Sequence, residues 1–256
     1  MKCTQGGREV KAGRGISQPI TSDVRSHLYN LRMIVCLFDI DGTLLSSGGA
    51  GKAAMEAALA AEFGVPRASD GIPFSGRTDR AIARDLFRLH GIEESAAHWQ
   101  RFVSEYLRVL PAQLASHQGK VLPGIADLLQ SLSQRDDMAV GLLTGNIRDG
   151  ARIKLGHYDI YHHFAFGGFG DHFFDRDQVA QEALAAVQGH LNEAVDTTTI
   201  WVIGDTPLDI RCARSIGARA VAVATGLHSL ESLAEERPDL ALADLSDPQP
   251  LLRLWA

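Results

Sequence analysis

The stretch VCLFDIDGTLL, residues 35–45, determines how the rest of the chain is interpreted. Its apolar first half is typical of a buried strand, and it runs directly into two carboxylates, Asp39 and Asp41, one residue apart. Side chains two positions apart on an extended segment point to the same side. Because two like charges on one face repel each other, folding alone does not favour the arrangement. The pattern therefore indicates a bound cation at this point of the chain.

Short apolar runs and helical patterns alternate from Met33 onward. The runs cover residues 33–40, 139–145, 164–168, 199–205 and 220–225. They are continuous rather than alternating, as strands buried on both faces should be. Helical patterns between them cover residues 124–135, 176–187 and 207–217. This alternation predicts an α/β fold, with a parallel sheet and helices on both of its faces.

Residues 48–118 interrupt the alternation, since they contain helical patterns with no strand pattern between them. These patterns are AGKAAMEAALAAEFG, TDRAIARDLFRLHG and AAHWQRFVSEYLRVLPAQLAS. Several consecutive helices inside a β/α series predict an inserted all-helical subdomain. We therefore expect a core made of residues 33–47 and 119–256, with residues 48–118 forming a helical cap.

Residues 1–32 differ in composition from the rest. They contain six Lys or Arg against two Asp or Glu, a local charge of +4. They show no periodicity and lack the apolar centre of roughly 7–15 residues that a signal peptide needs. We expect a disordered tail here rather than a functional basic arm.

The totals for the whole chain exclude several classes of protein. A formal net charge of −6 argues against a nucleic-acid or acidic-membrane partner. No apolar run approaches the roughly 20 residues of a membrane helix. Cys3, Cys36 and Cys212 are scattered and odd in number, which favours a reducing compartment. We therefore expect a cytoplasmic protein in which Cys36 and Cys212 are small core residues.

Four carboxylates and one hydroxyl are predicted to meet at the carboxyl ends of neighbouring strands. Asp39 and Asp41 end the first strand, Thr144 ends the second, Asp205 ends TIWVIGD and Asp209 follows at the start of the next helix. Ligands of open parallel sheets bind beyond these strand ends. Such a cluster would be strongly destabilising without a cation, and oxygen-only ligands suit a hard ion such as Mg²⁺.

An aspartate in such a cluster has a chemical use. It can attack phosphorus and form an aspartyl-phosphate, which splits one difficult displacement into two. The second carboxylate can give a proton to the leaving oxygen and later take one from water. Gly42 would allow a tight turn near the phosphate, Thr43 would hold the loop, and Thr144 would hydrogen-bond a phosphoryl oxygen.

Three motifs, in order and in strand context, resemble those of the haloacid dehalogenase-like phosphatases. DIDGTL looks like the first motif, LLTGN resembles the second, and IGDTPLDI matches the fourth. VLPGI after the insertion is also similar to the family, and FSGRTD resembles the phosphoglycolate phosphatase-like group. The resemblance extends from Met33 to about Thr225. It implies a Rossmann-like, doubly wound core with a mobile helical cap.

The resemblance also implies residue roles. Asp39 would be the nucleophile and a Mg²⁺ ligand, and Asp41 would be the general acid/base with its backbone carbonyl on the metal. Thr144 would bind the phosphoryl group, Asp205 would ligate Mg²⁺, and Asp209 would support the metal site. Further substrate contacts are expected from Gly42, Thr43, Gly145, Asn146 and, in the cap loop, Arg77, which would meet a substrate carboxylate or second phosphate.

One motif departs from the family pattern. The third motif of the family supplies a lysine before the helix that precedes the fourth motif, but this chain reads FFDRDQVAQ there and has Arg176 in that position. Lys154, in RIKLGHYDIYHHF, is the other candidate for the cation beside the nucleophile. We favour Arg176, because a helix lysine commonly serves only as surface charge.

Two further groups of side chains have ordinary structural interpretations. The spacing of His157, His162, His163 and His172 matches no common zinc pattern. Trp99, Phe102 and Tyr106 fall at helical spacing, which predicts cap core rather than a ligand box.

The leading functional prediction is a Mg²⁺-dependent phosphatase of a small phosphorylated metabolite, with a phosphoglycolate-like substrate as one option. A sugar-phosphate mutase would share every core residue and is the main alternative among enzymes. A binding or regulatory protein that kept the fold and lost turnover is the alternative from another class, and Arg176 is its best support. The expected assembly is a monomer or a homodimer.

Overall fold

The computed structural model of the chain describes residues 1–2, 33–65, 69–192 and 194–255. The chain divides into two units, Met1–Arg32 and Met33–Ala256. The predicted disordered tail lies, except for its first two residues, outside the described residues, and so does Cys3. Within the described ranges, no helix is both long enough and apolar enough to cross a membrane.

The second unit is built on a six-stranded parallel sheet. Its strands are β1 (Ile34–Phe38), β4 (Met138–Leu143), β5 (Phe166–Gly168), β6 (Ile200–Gly204), β7 (Arg219–Val223) and β8 (Leu240–Leu242). They lie in the order β5-β4-β1-β6-β7-β8, and every pairing is parallel. A separate antiparallel pair joins β2 (Leu45–Ser46) to β3 (Lys120–Val121). The predicted α/β class with a parallel sheet is confirmed.

The helices fall into a core set and an inserted set. The inserted set, α1 (Ala50–Phe63), α2 (Asp79–Leu89) and α3 (Ala96–Ser116), lies between β2 and β3, with no strand among its described residues. The core set is α4 (Ile125–Leu132), α5 (Arg148–His157), α6 (Arg176–Leu191), α7 (Pro207–Ser215), α8 (Leu230–Glu235) and α9 (Gln249–Leu252). We call the inserted segment, residues 48–118, the cap.

Both faces of the sheet are covered, as the continuous apolar strands require. Cys36 and Phe38 of β1 belong to a buried cluster on one face, where α4, α5 and α9 pack. Val35 and Leu37 belong to the cluster on the other face, where α6, α7 and α8 pack. Successive side chains of a strand point to opposite faces, so an unbroken apolar run supplies both clusters. The three cap helices enclose a third cluster, which also includes Ile147 of the core.

The strand order places a topological switch point at β1. From β1 the chain moves outward through β4 and β5 on one side, and then returns to build β6, β7 and β8 on the other. In a doubly wound sheet the ligand crevice lies where these two directions diverge, outside the carboxyl ends of the strands. Here that position is the boundary between β1 and β6, which are hydrogen-bonded neighbours.

The edge strand β8 and the separate β2–β3 pair were not among the predicted strands. β8 is only Leu240–Leu242, three half-buried residues at the sheet edge, and a run that short has no periodicity to detect. The β2–β3 pair consists of two residues on each side. It pairs the segments on either side of the cap, and only the completed fold brings these segments together.

Candidate active site

Three buried aspartates meet at the switch point. Asp39 follows β1, Asp205 follows β6, and Asp209 lies in the first turn of α7. Each offers a carboxylate oxygen within 4.8 Å of the others, and all three side chains are buried. The predicted convergence of these strand-end carboxylates is therefore present.

The low polarity of this position changes the protonation of two of the aspartates. Burial raises the pKa of Asp39 to about 7, although the Arg176 guanidinium opposes this shift. Burial, together with the charge of Asp209, raises the pKa of Asp205 to about 8. Without a metal ion, Asp39 and Asp205 therefore bind protons more readily than exposed aspartates do, because burial disfavours their charged forms.

Arg176 is the cation inside this cluster. It is the first residue of α6 and is 4 % exposed. One terminal nitrogen lies 2.5 Å from Asp209 Oδ1, 3.5 Å from Asp39 Oδ1 and 3.3 Å from the Leu143 carbonyl. Burial lowers the pKa of Arg176, but Asp209 and Asp39 outweigh it and raise the pKa. Arg176 is thus held, fully charged, against the predicted nucleophile.

The second carboxylate oxygen of Asp209 accepts hydrogen bonds from Thr206. Its Oδ2 accepts a hydrogen bond from the Thr206 N–H at 3.0 Å and from the Thr206 hydroxyl at 2.7 Å. The bond from the Thr206 N–H is the Asp209 half of a capping box at the start of α7. Because Oδ1 contacts Arg176, Asp209 orients that arginine and fixes the loop that carries Asp205.

Asp41 points toward a different cation from Asp39. Its Oδ2 accepts hydrogen bonds from Lys154 Nζ at 2.6 Å and from Asn146 Nδ2 at 2.9 Å. Burial raises the pKa of Asp41, but the Lys154 charge and these hydrogen bonds outweigh it, so the pKa lies below its usual value. The Asp41 side chain is not part of the three-aspartate group, and its predicted metal contact, which uses the backbone carbonyl, stays a prediction.

The expectation that Lys154 is a surface charge is wrong. Lys154 is 4 % exposed and lies on the buried face of α5. Burial lowers the pKa of Lys154, but the charges of Asp41 and Asp79 outweigh it and raise the pKa. The two cations that the sequence offered as alternatives are therefore both in the site, Arg176 beside Asp39 and Lys154 beside Asp41.

The loop after β4 carries the residues of the second motif. Thr144 is fully buried, and its Oγ1 accepts hydrogen bonds from the Asn146 N–H at 3.3 Å and from Asn146 Nδ2 at 3.0 Å. Gly145 and Asn146 line the cavity above the aspartates. The predicted phosphoryl contact of Thr144 stays a prediction.

The loop after β1 is fixed by neighbours on both sides. Gly42 has a φ of 86°, which favours glycine, and its carbonyl accepts the Thr225 hydroxyl at 2.5 Å. The Thr43 hydroxyl donates to Asp205 Oδ1 at 3.2 Å. Thr225 was not predicted as a site residue, because only its position just after β7 suggests it.

Several residues of the cap line the cavity, and Arg77, Asp79 and Tyr106 are among them. Arg77 lines the cavity, but its guanidinium contacts Asp85 Oδ2 at 2.5 Å and the Pro73 carbonyl at 3.1 Å, so its predicted substrate contact stays a prediction. Asp79 is buried and accepts the Ile147 N–H at 2.9 Å. Tyr106 belongs to the cap core as predicted, yet it also lines the cavity.

The resulting cavity lies between cap and core and has a volume of about 400 Å³. Its floor is made by Asp39, Asp41 and Asp205 with the two cations, and its upper wall is made by cap side chains. Neither Asp79 nor Tyr106 was predicted as a site residue. The signals for them in the sequence are the position of Asp79 at the end of FSGRTD and the lone hydroxyl of Tyr106 on an apolar helix face.

The donor set fits a hard metal ion. Among the residues that the structure describes, the three aspartates are the one group of three or more acidic, histidine or cysteine side chains close enough to share an ion. The four crowded histidines form no such group. Carboxylate oxygens without nitrogen or sulfur are typical ligands of Mg²⁺, Mn²⁺ or Ca²⁺.

Comparison with known proteins agrees with this architecture. The chain is 27% identical over 221 residues to the phosphoglycolate phosphatase of Synechococcus elongatus, covering 84% of this chain and 95% of that one. A predicted phosphoglycolate phosphatase from Haemophilus somnus superposes with a TM-score of 0.66 at 18% identity, covering 89% and 100% of the two chains. A candidate β-phosphoglucomutase from Thermotoga maritima gives 0.57 at 21% identity, covering 88% and 100%.

The two structural similarities establish the fold, since both identities are low. The family model for the haloacid dehalogenase-like hydrolases matches residues 36–223, which include the last three residues of β1, the whole cap, and all the aspartates and cations of the site. On that match, over well more than half of its length, the chain belongs to the haloacid dehalogenase-like hydrolase family.

Proposed function

We propose that this protein is a Mg²⁺-dependent phosphatase that hydrolyses small phosphate monoesters through an aspartyl-phosphate on Asp39. The observation that supports this most directly is the separation of the two first-motif aspartates. Asp39 is buried against Arg176 in the three-aspartate group, whereas Asp41 is half-exposed to the cavity beside Lys154. This separation supports Asp39 as the nucleophile and Asp41 as the residue that exchanges protons with a ligand.

In the first step Asp39 attacks the phosphorus of the bound ester. The new bond joins a carboxylate oxygen to phosphorus, and the bond from phosphorus to the ester oxygen breaks. Negative charge grows on the transferred group, and the buried guanidinium of Arg176 stabilises it without reorganisation. The backbone around Gly42 and Gly145 borders the space where that group would lie.

Asp41 handles the proton in both steps. As the ester oxygen leaves, Asp41 donates a proton to it, and the product is an alcohol. In the second step Asp41 removes a proton from water as that water attacks the phosphorus of the aspartyl-phosphate, which frees Asp39 and releases inorganic phosphate. Asp41 then holds a proton for the next cycle.

Asp39 and Asp205 would hold the Mg²⁺ ion, with Asp209 as the third acidic neighbour. When bound, the ion would neutralise the clustered carboxylates and the charge of the substrate phosphoryl group. The raised pKa values of Asp39 and Asp205 fit this assignment, because burial, together with the neighbouring carboxylates, disfavours the negative charge that a bound cation would neutralise.

The size of the cavity supports a small substrate. About 400 Å³, enclosed by the cap, suits a phosphate ester with a few carbon atoms better than a nucleic acid or a phosphoprotein. The similarity to a phosphoglycolate phosphatase makes phosphoglycolate the first ester to try.

The test is hydrolysis of a panel of small phosphate esters by the purified full chain. The panel contains phosphoglycolate, sugar phosphates, nucleotides and a chromogenic ester, with Mg²⁺ or EDTA, and Asp39→Asn is the matched inactive variant. We expect Mg²⁺-dependent release of phosphate that the variant lacks. Turnover that persists in Asp39→Asn would contradict the aspartyl-phosphate.

A sugar-phosphate mutase and a binding protein are the outcomes that this panel separates from hydrolysis. A mutase would isomerise a sugar phosphate without releasing phosphate, whereas a binding protein would give no product with any ester. A mutase needs the same aspartates as a phosphatase, so the site residues do not distinguish the two enzymes. Their reaction products do.

A further inference from the structure

Lys154 has bonding capacity that the proposed phosphoryl transfer does not use. Its Nζ donates to Asp41 Oδ2 and to Asn146 Oδ1, both at 2.6 Å. An ammonium group carries three hydrogens, so these bonds leave one donor for a ligand. Lys154 is almost completely buried and lines the cavity, and a ligand in the cavity can therefore reach it.

Tyr106 supplies a second, independent donor beside Lys154. It is 1 % exposed and lines the same cavity, and its hydroxyl has no hydrogen-bond partner among the described residues. A Cβ at Gly150, one helical turn before Lys154 on α5, would lie 3.5 Å from this hydroxyl. An unsatisfied buried hydroxyl is destabilising, so the position favours a ligand oxygen.

We propose that Lys154 and Tyr106 form a subsite for a carboxylate on the leaving group of the substrate. This inference rests on the proposed phosphatase function, because it uses Asp41 to locate the leaving group. Asp41 contacts the ester oxygen when it donates its proton, and Lys154 Nζ is 2.6 Å from the same carboxylate. An anionic group one or two carbons beyond the ester oxygen therefore lies within reach of Lys154.

The other charged residues near the cavity have partners already. Arg77 is paired with Asp85, and Lys52, which is half-exposed, lies 3.9 Å from Glu56. The Asp79 carboxylate accepts a hydrogen bond from the Ile147 N–H. This bond occupies neither the Lys154 ammonium nor the Tyr106 hydroxyl. The Lys154 ammonium and the Tyr106 hydroxyl offer one donor for each of the two oxygens of a carboxylate, and the ammonium favours an anion over a neutral group.

The test compares two esters that differ only at this group. They are phosphoglycolate and the phosphate ester of glycolamide, in which an uncharged amide replaces the carboxylate. In the wild-type protein with Mg²⁺, we expect kcat/KM to be about 10- to 100-fold higher for phosphoglycolate, the factor that one hydrogen bond to a charged group contributes. The preference for the carboxylate is the measured quantity.

Two variants assign that preference to the subsite. Lys154→Met should bring the ratio of the two kcat/KM values close to one, and Tyr106→Phe should lower it by about 3- to 10-fold. Tyr106→Phe leaves every ion pair intact, so it remains informative if Lys154→Met fails to fold. Tyr158→Phe is the matched control, because Tyr158 also has a buried hydroxyl without a partner in the described chain but does not line the cavity.

Binding separates failure of the subsite from failure of the phosphatase. Calorimetry on Asp39→Asn with Mg²⁺ measures the affinity of both esters without turnover, and we expect tighter binding of phosphoglycolate, reduced by adding Tyr106→Phe. Absence of turnover with every ester of the panel would refute the phosphatase, whereas this binding difference would still support the subsite. Equal affinity for the two esters, or a preference abolished by Lys52→Met or Arg77→Met instead, would overturn the subsite.

Discussion

At the residue scale, the site is organised by two buried cations that each serve one aspartate. Arg176 contacts Asp39 and Asp209, and Lys154 contacts Asp41. A single cation between Asp39 and Asp41 would hold both carboxylates in similar environments. With separate partners, the pKa of Asp39 is raised while that of Asp41 is lowered. These metal-free directions are the reverse of those that an ionised nucleophile and a protonated general acid need, so the proposed roles require bound Mg²⁺ and substrate to change both environments.

The raised pKa values make a prediction for the pH dependence of stability. An unfolded aspartate has a pKa of about 3.9, whereas folding raises that of Asp39 to about 7 and that of Asp205 to about 8. The metal-free folded protein therefore holds protons that the unfolded chain releases, and its free energy of unfolding should fall as pH rises from about 4 to about 8. The slope is about 1.4 kcal/mol per pH unit for each such proton.

Urea unfolding in EDTA at several pH values between 5 and 8.5 measures this slope. Asp205→Asn removes one of the two titrating groups and should flatten it. Excess Mg²⁺ should stabilise the wild-type protein more at pH 8 than at pH 6, because the metal and the proton compete for the same oxygens. Metal-free protein that becomes more stable between pH 6 and pH 8 would contradict the prediction.

At the scale of elements, α2 connects the cap to the second-motif loop. Thr78 caps the helix by accepting the Ala81 N–H at 3.0 Å. The Asp79 N–H donates to the Gly145 carbonyl at 2.8 Å, and the Asp79 carboxylate accepts the Ile147 N–H at 2.9 Å. These reciprocal bonds join the start of the helix to the loop between β4 and α5.

Removing the Asp79 side chain should loosen this connection. Asp79→Ala leaves the Ile147 N–H without a partner, so we expect a loss of about 1–3 kcal/mol in the free energy of unfolding and a higher KM. Asp79→Asn retains an acceptor oxygen and should be tolerated better. Urea unfolding and hydrogen exchange at the Ile147 amide check both expectations, and equal exchange rates in the two variants would contradict the role of the carboxylate.

The elements also explain which parts of the molecule the sequence could predict. The long strands were predictable because burial on both faces requires continuous apolar runs, and Asp39 and Asp205 were predictable because they follow such runs directly. Tyr106 and Lys154 were not predictable as neighbours. Tyr106 lies on a cap helix and is typical of an apolar core, whereas Lys154 lies on a core helix and is typical of a surface. Only tertiary packing shows that both line the cavity.

At the scale of the whole molecule, the cap and the core meet so closely at Gly145 that no side chain fits at this position. A Cβ at Gly145 would lie 2.7 Å from the Arg77 carbonyl carbon and 3.1 Å from the Thr78 Cα, both backbone atoms of the cap. Gly145 does not have a positive φ, so its backbone would accept alanine without strain. The lack of a side chain there is required by cap closure rather than by the fold of the loop.

Gly145→Ala should therefore separate the cap from the core without unfolding either. A closed cap excludes water and completes the site, so we expect kcat/KM for small esters to fall at least about 10-fold, with a stability loss of about 1–3 kcal/mol from overpacking. Small-angle X-ray scattering should give a larger radius of gyration, while circular dichroism stays unchanged. Gly189→Ala is the control, because a Cβ there meets nothing within 4 Å, and it should behave as wild type. Unchanged scattering and kinetics in Gly145→Ala would show that the cap does not depend on this contact.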